Sequence, residues 1–478
     1  MITSFQNPKR RPGRRRRDLR SRTCTCPVAT THTRTSGRRS GSMFSRESAD
    51  KSPQWAVLVG VITSGSTASR SWFESFARAC RDKGMLICGV EFEGALRAGR
   101  PPIVLDHVVT IPGPYAREVS SESLGHVARA LRRARVDDIG LVTAIRENYQ
   151  LLSAQIGAEL GARSNSVDVV KTIQDKPACR EALRSAGILQ PQSYRVVARA
   201  NGGNVLVSED GDDVSAQEIH STSGWILKPA TGMGSAGVRY LSSTAEVIDA
   251  LAASEAEGYC AEEFVTGEEF SVEGITVDGV VRVYGVTTKA KNTGFVEIGH
   301  RFPAHHPQLP GDEEISRQLQ RCVDVLAIEW GHLHVEFWVR DDGCLVWGEF
   351  HVRQAGGLIA PDMIEAARPG LSIYDELIDS LSGRSLPALP QKKAYAAVDF
   401  IESKPGRVMM AGVNSSLPPA SSVHWEYGVG EYAPPVNGLR ANIAVIFAGA
   451  DTVEHAEQIL RSARQACSFA VDSVEDIA

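Results

Sequence analysis

The sequence lacks any apolar run that approaches the roughly 18 residues of a membrane-spanning helix. Its nine cysteines are scattered without paired spacing, so no disulfide framework is predicted and a reducing compartment is expected. The apolar segment 55–62 has the length of a buried strand. These features favour a soluble protein of the cytoplasm.

Acidic residues are scarce only at the N-terminus. Residues 1–50 carry thirteen Lys or Arg against three Asp or Glu, whereas the chain of 478 residues has a formal charge of −5. The remainder is therefore acidic, which argues against nucleic-acid binding outside the tail. The tail has little apolar content and is expected to be disordered. A translation start placed too far upstream, with Met43 as the true start, is the favoured explanation; a targeting peptide or a nucleic-acid or membrane tether is the alternative.

Two common phosphate-binding patterns, GxGxxG and GxxxxGK[ST], are also missing after the first strand. Strands and helices nevertheless alternate over residues 51–165, which predicts a small open α/β domain with a parallel sheet. Residues 166–385 are richer in strands, and the segment 386–390 has the composition of a linker. Residues 391–478 predict a small C-terminal α+β domain, so the predicted fold class is α/β and α+β.

The stretch 334–351 predicts a hairpin with one polar face. Asp342-Gly343 is a typical two-residue turn, and folding the chain there pairs residues whose numbers sum to 685. The polar face then carries three facing pairs: Glu336 with Glu349, His334 with His351, and Trp338 with Trp347. The opposite face is apolar, as expected for a strand pair with one side in the core.

The facing carboxylates of Glu336 and Glu349 predict a cation site. Opposed side chains on a sheet lie about 5 Å apart at Cβ, and two carboxylates there repel by about 1 kcal/mol in water. A divalent cation reverses the sign of that interaction, and oxygen ligands suit Mg²⁺ held together with phosphates. Because two histidines share the face, zinc or Mn²⁺ would also suit the donors. A solvated sheet edge is the plain alternative.

Two further segments have the features of a nucleotide site. WILKPATGMGSAGVRYL (225–241) predicts a strand with Lys228 near its end, a loop of small residues and a second strand. Such a loop offers backbone N–H groups to phosphates, while the lysine supplies a positive charge. AEEFVTGEEFSVE (261–273) predicts a strand, a turn and a strand whose acids and backbone would hold an adenosine. A surface lysine and an acidic surface turn are the plain alternatives.

The order of these motifs resembles that of the ATP-grasp ligases. QDKPACR, KPATGMGSAGV, EEFVTGEEFSVE and the paired-Glu hairpin ending in GG occupy residues 166–375 in the family's order. The preceding α/β segment matches the domain that comes before the nucleotide fold in that family. The resemblance implies an ATP-grasp fold over 166–385, with ATP and Mg²⁺ as cofactors and Mn²⁺ as the alternative metal.

The resemblance also implies a role for each matching residue. ATP phosphates would be contacted by Lys176, Lys228 and the flap residues Gly232, Gly234, Ser235 and Gly237. Adenosine would be held by Glu262, by the backbone at Phe264 and Val265, and by Glu269 at the ribose. Metal ligands would be Glu336, Glu349 and His351, and Arg353 would stabilise the transferring phosphoryl group. His351 departs from the family pattern, which usually has Asn at that position.

The segment 286–307 resembles the L-amino-acid (dipeptide) ligase branch of the family. By that resemblance Glu297 would bind an amino group, and His300 would orient a carboxylate or assist deprotonation of the amine. The implied reaction joins a carboxylate and an amine, with amino acids as the expected small-molecule partners and a homodimer as one assembly. The alternatives are an ATP-grasp carboxylase or purine-pathway enzyme and a nucleotide-binding regulator without turnover, although no biotin-attachment sequence is present.

Overall fold

The computed structural model describes residues 53–62, 67–199, 203–208, 210–232, 237–252, 258–292, 296–435 and 441–472. The predictions for the basic tail 1–50 and for Gly234 and Ser235 lie outside these residues. Residues from Ser52 to Ala478 form one compact unit. Over the described ranges, the helices are too short or too polar to cross a membrane.

Helices and strands alternate in the first part of the chain and strands dominate the second. The α-helices are α1 Thr67–Asp82, α2 Glu93–Ala98, α3 Ser121–Arg133, α4 Gln150–Leu160, α5 Val167–Gln174, α6 Lys176–Ser185, α7 Thr244–Ala252, α8 Asp312–Leu326, α9 Ile364–Ala367, α10 Ile373–Asp379 and α11 Val453–Ala466. The strands are β1 Trp55–Val59, β2 Leu86–Phe92, β3 His107–Ile111, β4 Ile139–Thr143, β5 Ser193–Ala198, β6 Asn204–Val207, β7 Asp213–Val214, β8 Trp225–Pro229, β9 Arg239–Leu241, β10 Tyr259–Glu263, β11 Glu268–Val277, β12 Val280–Lys291, β13 Glu297–Phe302, β14 Trp330–Val339, β15 Leu345–His351, β16 Tyr395–Ser403, β17 Gly406–Val413, β18 Ser421–Trp425, β19 Tyr432–Ala433, β20 Ala441–Ala450 and β21 Cys467–Asp472.

The first sheet is parallel, as predicted, with the strand order β3-β2-β1-β4. Residues 56–59 of β1 are buried on both faces, which explains their continuous apolar run. The loop between β4 and α4 lies at the carboxyl end of this sheet and contains Glu147. In parallel α/β sheets that end is where ligand-binding side chains accumulate.

Two larger sheets are antiparallel and carry most of the remaining core. The first has six strands in the order β7-β6-β5-β10-β8-β9, and the second has eight in the order β15-β14-β11-β12-β13-β16-β20-β18. Strands β16, β20 and β18 from the segment 391–478 extend the second sheet through the pairing of β13 with β16. The same segment also forms a three-stranded sheet, β19-β17-β21.

Two local features follow general rules for turns and helix caps. Asp278 and Gly279 form the turn between β11 and β12, and both have the positive φ that a two-residue hairpin turn of this type requires. Asp175 caps α6 by accepting a hydrogen bond from the N–H of Ala178 at 3.1 Å. Lys176 is therefore the first residue of that helix.

The β14–β15 hairpin confirms only part of the predicted register. His334 faces His351 and Val335 faces Phe350, as predicted. Beyond Val335 the register shifts by one residue, so Phe337 faces Trp347. The predicted pair of Trp338 with Trp347 is therefore wrong.

The turn between β14 and β15 explains why the register differs from the predicted one. The N–H of Arg340 donates to the carbonyl of Cys344 at 3.0 Å, and Gly343 has a φ of +78°. The loop therefore has three residues, not the predicted two. A bulge in β15, where Gly348 and Glu349 together oppose Glu336, restores the predicted register further along. The shift moves Trp347 onto the core face, where its ring lies 5.4 Å from that of Phe337.

Replacing Trp347 by Ala tests this register. Because the side chain is only 1% exposed, we expect Trp347→Ala to lower the free energy of unfolding by about 3–5 kcal/mol. Met409, which is 54% exposed, supplies the control, since Met409→Ala should change it by less than about 0.5 kcal/mol. Chemical denaturation measures both variants. Equal effects of the two substitutions would contradict the bulged register.

Candidate active site

A cavity of about 480 Å³ is lined by residues from both large sheets. That volume lies within the range of roughly 300–1,000 Å³ that is usual for small-molecule sites. The predicted residues that line it are Lys176, Lys228, Gly232, Glu262, Phe264, Val265, Glu269, Glu297, Glu336, Glu349, His351 and Arg353. Gly237 is exposed at the end of the flap, and His300 is buried behind the cavity wall.

Two lysines converge on one carboxylate beside the flap. The Nζ atom of Lys228 lies 3.1 Å from one oxygen of Glu349, and the Nζ atom of Lys176 lies 3.7 Å from the other. Lys176 also donates a hydrogen bond to the carbonyl of Gly232 at 3.0 Å. Helix α6, strand β8, the flap and strand β15 thus meet at this point.

Lys228 also contacts a second carboxylate, which is buried. The Nζ atom of Lys228 lies 2.8 Å from Glu262, whose other oxygen accepts from Nε of Arg180 at 3.2 Å. Burial by itself raises the pKa of Glu262, but the charges of Arg180 and Lys228 outweigh it and lower this pKa to about 2. Since both carboxylate oxygens are already engaged by cations, the adenine contact predicted for Glu262 stays a prediction.

Lys289 holds the other half of the predicted acid pair. Its Nζ atom forms ion pairs with Glu336 and Glu297 and lies 4.0 Å from Glu269. Burial opposes the charge on Glu336, but Lys289 outweighs that effect and lowers the pKa of Glu336 well below its usual value. Lys289 was not predicted from the sequence, although VTTKAK places it and Lys291 on one face of β12 at period two.

The two predicted metal-binding carboxylates therefore contact lysines. No three His, Cys, Asp or Glu side chains in the described ranges converge as a group that would hold a metal ion. The donor set still fits a divalent cation, because Glu336, Glu349 and His351 line the same cavity. The metal roles of these residues stay predictions.

His351 and Arg353 share a buried partner from the α/β domain. The Nδ1 atom of His351 lies 2.9 Å from Oε2 of Glu147, and Nε of Arg353 donates to the same oxygen at 2.8 Å. The remaining oxygen of Glu147 accepts from Gln174 at 2.8 Å. Burial raises the pKa of Glu147, but His351 and Arg353 outweigh burial and lower it far below its usual value. Glu147 was not predicted from the sequence, since no motif surrounds it.

His334 is held in the same way as His351, by a buried carboxylate at Nδ1. Its Nδ1 atom lies 2.9 Å from Oε2 of Glu273, a buried residue of β11. The ring of His334 stacks on that of His351, with centroids 5.5 Å apart and planes inclined by 19°. The predicted histidine pair is therefore present, and each ring has its own carboxylate.

The residues predicted to hold the adenosine differ in whether their polar atoms are already hydrogen-bonded. Oε2 of Glu269 accepts from the indole of Trp338 at 3.1 Å, while Oε1 is buried and has no hydrogen-bond partner among the described residues. A ligand hydroxyl would satisfy that oxygen. The N–H of Phe264 donates to Gly224 at 2.9 Å, and its carbonyl accepts from Ser223 at 2.7 Å, so the structure engages both of its backbone groups.

His300 lies outside the cavity lining. It is 0% exposed, and its Nε2 atom lies 3.5 Å from a carboxylate oxygen of Glu297. Gly357, which lines the cavity, packs against the ring, since a Cβ there would approach Nε2 to 2.6 Å. Burial lowers the pKa of His300 to about 4, although Glu297 opposes this shift. Its predicted contact with substrate therefore stays a prediction.

Part of this chain is similar to a known protein family. A family model described as an ATP-grasp domain matches residues 222–362, which include Lys228, the flap and the paired-Glu hairpin. This chain carries an ATP-grasp domain. The predicted ATP-grasp fold, preceded by a small parallel sheet, is confirmed.

Solved structures share the fold of this chain well beyond this domain. L-amino acid ligase from Bacillus licheniformis aligns with a TM-score of 0.67 at 15% identity, covering 89% of this chain and 100% of that one. Biotin carboxylase from Campylobacter jejuni aligns with a TM-score of 0.61 at 16% identity, covering 87% and 92%. Phosphoribosylglycinamide synthetase from Anaerococcus prevotii aligns with a TM-score of 0.61 at 12% identity, covering 88% and 100%. Identities this low show the fold alone.

One curated relative is similar in sequence to this chain. The uncharacterized protein y4rH of Sinorhizobium fredii is 26% identical over 247 residues. The match covers 49% of this chain and 48% of that protein, so it spans about half the length of each. This relative therefore provides no evidence for an activity of this chain.

Buried histidines predict a loss of stability in mild acid. Burial lowers the pKa of both His300 and His332 to about 4, against about 6.5 in the unfolded chain. Between pH 6.5 and 4 the unfolded chain binds these protons and the folded one does not, so stability falls as the pH falls through this window. Each histidine should contribute up to about 3 kcal/mol to this loss.

Chemical denaturation at pH 7, 6 and 5 measures this dependence. We expect His300→Asn to reduce the slope of unfolding free energy against pH by roughly one proton, about 1.4 kcal/mol per pH unit, whatever its effect at pH 7. His220 is exposed, so His220→Asn should leave the slope unchanged. Identical slopes for wild type and His300→Asn would refute the assignment.

Proposed function

We propose that this protein is an ATP-dependent ligase that joins a carboxylate to an amine, and that both substrates are amino acids or close relatives. The observation that carries the proposal is the convergence of Lys176 and Lys228 on Glu349 beside the flap. Two lysines from separate elements, held at a cavity that also contains Arg353, suit a polyphosphate. The ATP-grasp domain match, which covers Lys228 and Glu349 but begins after Lys176, supports the same ligand.

On binding, the nucleotide would replace some of the ion pairs that are present in this structure. Phosphate oxygens would take the place of Glu349 beside the two lysines, and Glu262 would keep Lys228 charged and in position. The unpartnered Oε1 of Glu269 suits a ribose hydroxyl. The apolar side chains of Ile226, Val238 and Val265 line the same cavity and suit the faces of a purine.

Glu336, Glu349 and His351 would hold the divalent cation. When bound, Mg²⁺ or Mn²⁺ neutralises phosphate charge and orients the phosphates for displacement. Glu349 then has a partner in each state, because a lysine contacts it in this structure and a cation would contact it in the complex. A buried carboxylate is costly in either state unless its charge is paired.

The proposed chemistry has two steps. A substrate carboxylate oxygen attacks the γ-phosphorus of ATP, the bond to the β–γ bridging oxygen breaks, and ADP leaves. An amine nitrogen then attacks the acyl carbon of the acyl phosphate, inorganic phosphate leaves, and the amine gives up a proton. Lys228 and Arg353 would offset the charge on the phosphoryl oxygens, for which the planar guanidinium suits paired contacts. A closed flap would exclude water, which would otherwise hydrolyse the acyl phosphate.

Charges of both signs at the far side of the cavity favour amino acids as substrates. Glu297 suits an ammonium group, while Lys289 and Arg353 suit a carboxylate. The shared fold with L-amino acid ligase supports this choice. A bicarbonate-using carboxylase is the second candidate, since biotin carboxylase has the same fold with a TM-score of 0.61.

Phosphate release from ATP and Mg²⁺ in the presence of paired amino acids tests the proposal. We expect release that requires added amino acids, and we expect Glu349→Gln to slow it by about 10²–10³-fold because the cation that neutralises the phosphoryl charge loses a charged ligand. Glu313 is exposed on α8, so Glu313→Gln should be as active as wild type. Mass spectrometry of the product identifies the new amide bond.

Two outcomes would reject the amino-acid ligase. Release that depends on bicarbonate, and not on amino acids, would favour the carboxylase. Tight ADP binding without turnover in any amino-acid mixture would instead favour a nucleotide-binding regulator.

A further inference from the structure

Two imidazoles in the cavity are each held between a pair of carboxylates. His351 lies with Nδ1 2.9 Å from Glu147 and with Nε2 3.9 Å from Glu349. His334 repeats the arrangement between its own two partners, with Nδ1 2.9 Å from Glu273 and Nε2 3.6 Å from Glu336. Both rings therefore direct Nε2 towards the acid pair.

The inner carboxylates fix which ring nitrogen carries the proton. An ionised carboxylate only accepts hydrogen bonds, so Nδ1 of each histidine must be the donor. In the neutral ring Nε2 then keeps its lone pair, which is the form that ligates metals. A carboxylate behind the far nitrogen of a histidine is the usual support for a metal-ligating imidazole.

Among the described residues, neither Nε2 atom has a carboxylate within hydrogen-bond distance. Their distances of 3.6 and 3.9 Å from Glu336 and Glu349 exceed those of hydrogen bonds. Both histidines line the cavity although each is less than 9% exposed. Two nitrogen donors therefore face the carboxylates that the proposed function assigns to a cation.

We propose that His334 and His351 are nitrogen ligands of the cation held by Glu336 and Glu349, and that this centre prefers Mn²⁺ or Co²⁺ to Mg²⁺. The inference rests on the proposed function, whose metal site it refines. Mg²⁺ prefers oxygen donors alone, whereas a mixed set of carboxylates and imidazoles also suits first-row transition-metal ions such as Mn²⁺ and Co²⁺. For this set to assemble, Lys228 must move from Glu349 to the phosphates and Lys289 from Glu336 to the substrate carboxylate, since the two lysines contact these acids now.

Glu147 and Glu273 would then be positioning residues. Glu147 belongs to the loop after β4, so the parallel-sheet domain would supply the support for a ligand on β15. Because the same oxygen of Glu147 also accepts from Arg353, one carboxylate would align the metal ligand and the arginine that faces the phosphoryl group. Residues that support a ligand in this way typically contribute about 10–100-fold to metal affinity.

Pulsed electron paramagnetic resonance of Mn²⁺ with ADP on the full chain tests the inference. We expect electron spin echo modulation from imidazole ¹⁴N nuclei in the wild type, and its loss in the double variant His334→Asn/His351→Asn. His306 contacts Glu268, outside the cavity lining, so His306→Asn should leave the modulation unchanged. These signals report direct ligation and do not depend on turnover.

Affinity measurements separate positioning from ligation. By titration calorimetry we expect Glu147→Gln to weaken Mn²⁺ binding in the ADP complex by about 10–100-fold. His351→Asn should shift the preference towards Mg²⁺, because an amide oxygen replaces the imidazole nitrogen.

The outcomes distinguish this inference from the proposed function. Binding of Mn²⁺ with ADP but without ¹⁴N modulation would overturn the nitrogen ligands and leave the ligase proposal standing. Failure to bind ADP with either metal would overturn both. The wild-type spectrum alone decides ligation, so the inference can be tested even if a variant fails to fold.

Discussion

The pairing of Lys228 with the buried carboxylate of Glu262 and the half-buried carboxylate of Glu349 is the interaction on which the site depends. Lys228, Glu262 and Glu349 are on different strands, and Lys228 and Glu262 are less than 9% exposed. A charge removed from water is tolerated only when it is paired and hydrogen-bonded. The lysine therefore links the six-stranded sheet to the end strand of the eight-stranded one, and the charge is kept beside the cavity.

The same requirement extends through the cavity as a continuous set of paired charges. Arg180 supports Glu262 from α6, Lys289 joins Glu336 to Glu297, and Glu147 joins His351 to Arg353. In the proposed ligase these pairs have a use, because Glu336 and Glu349 would receive the divalent cation when the substrate carboxylate and the phosphates take their lysines.

Several local features could be predicted from the sequence. The cap at Asp175, the turn at Asp278-Gly279 and the pairing of His334 with His351 follow from local rules that act within a few residues. The order of motifs was sufficient for the ATP-grasp fold, and twelve of the predicted site residues line the cavity. The bulge opposite Glu336 was missed because a three-residue loop and a two-residue loop are both compatible with the same dipeptide.

Alternation along a strand is a property of the backbone, so the order of residues predicts which side chains share a face until a bulge interrupts it, as it does next to Trp347. Which charges meet depends instead on how the sheets assemble. Glu147 reaches His351 and Lys289 reaches Glu336 across separate elements, and no periodicity relates such positions. His300 shows the same limit, since its place behind Gly357 follows from the packing of β13 against the loop after β15. Burial and charge pairing are properties of the assembled sheets, so they appear only when the sheets are in place.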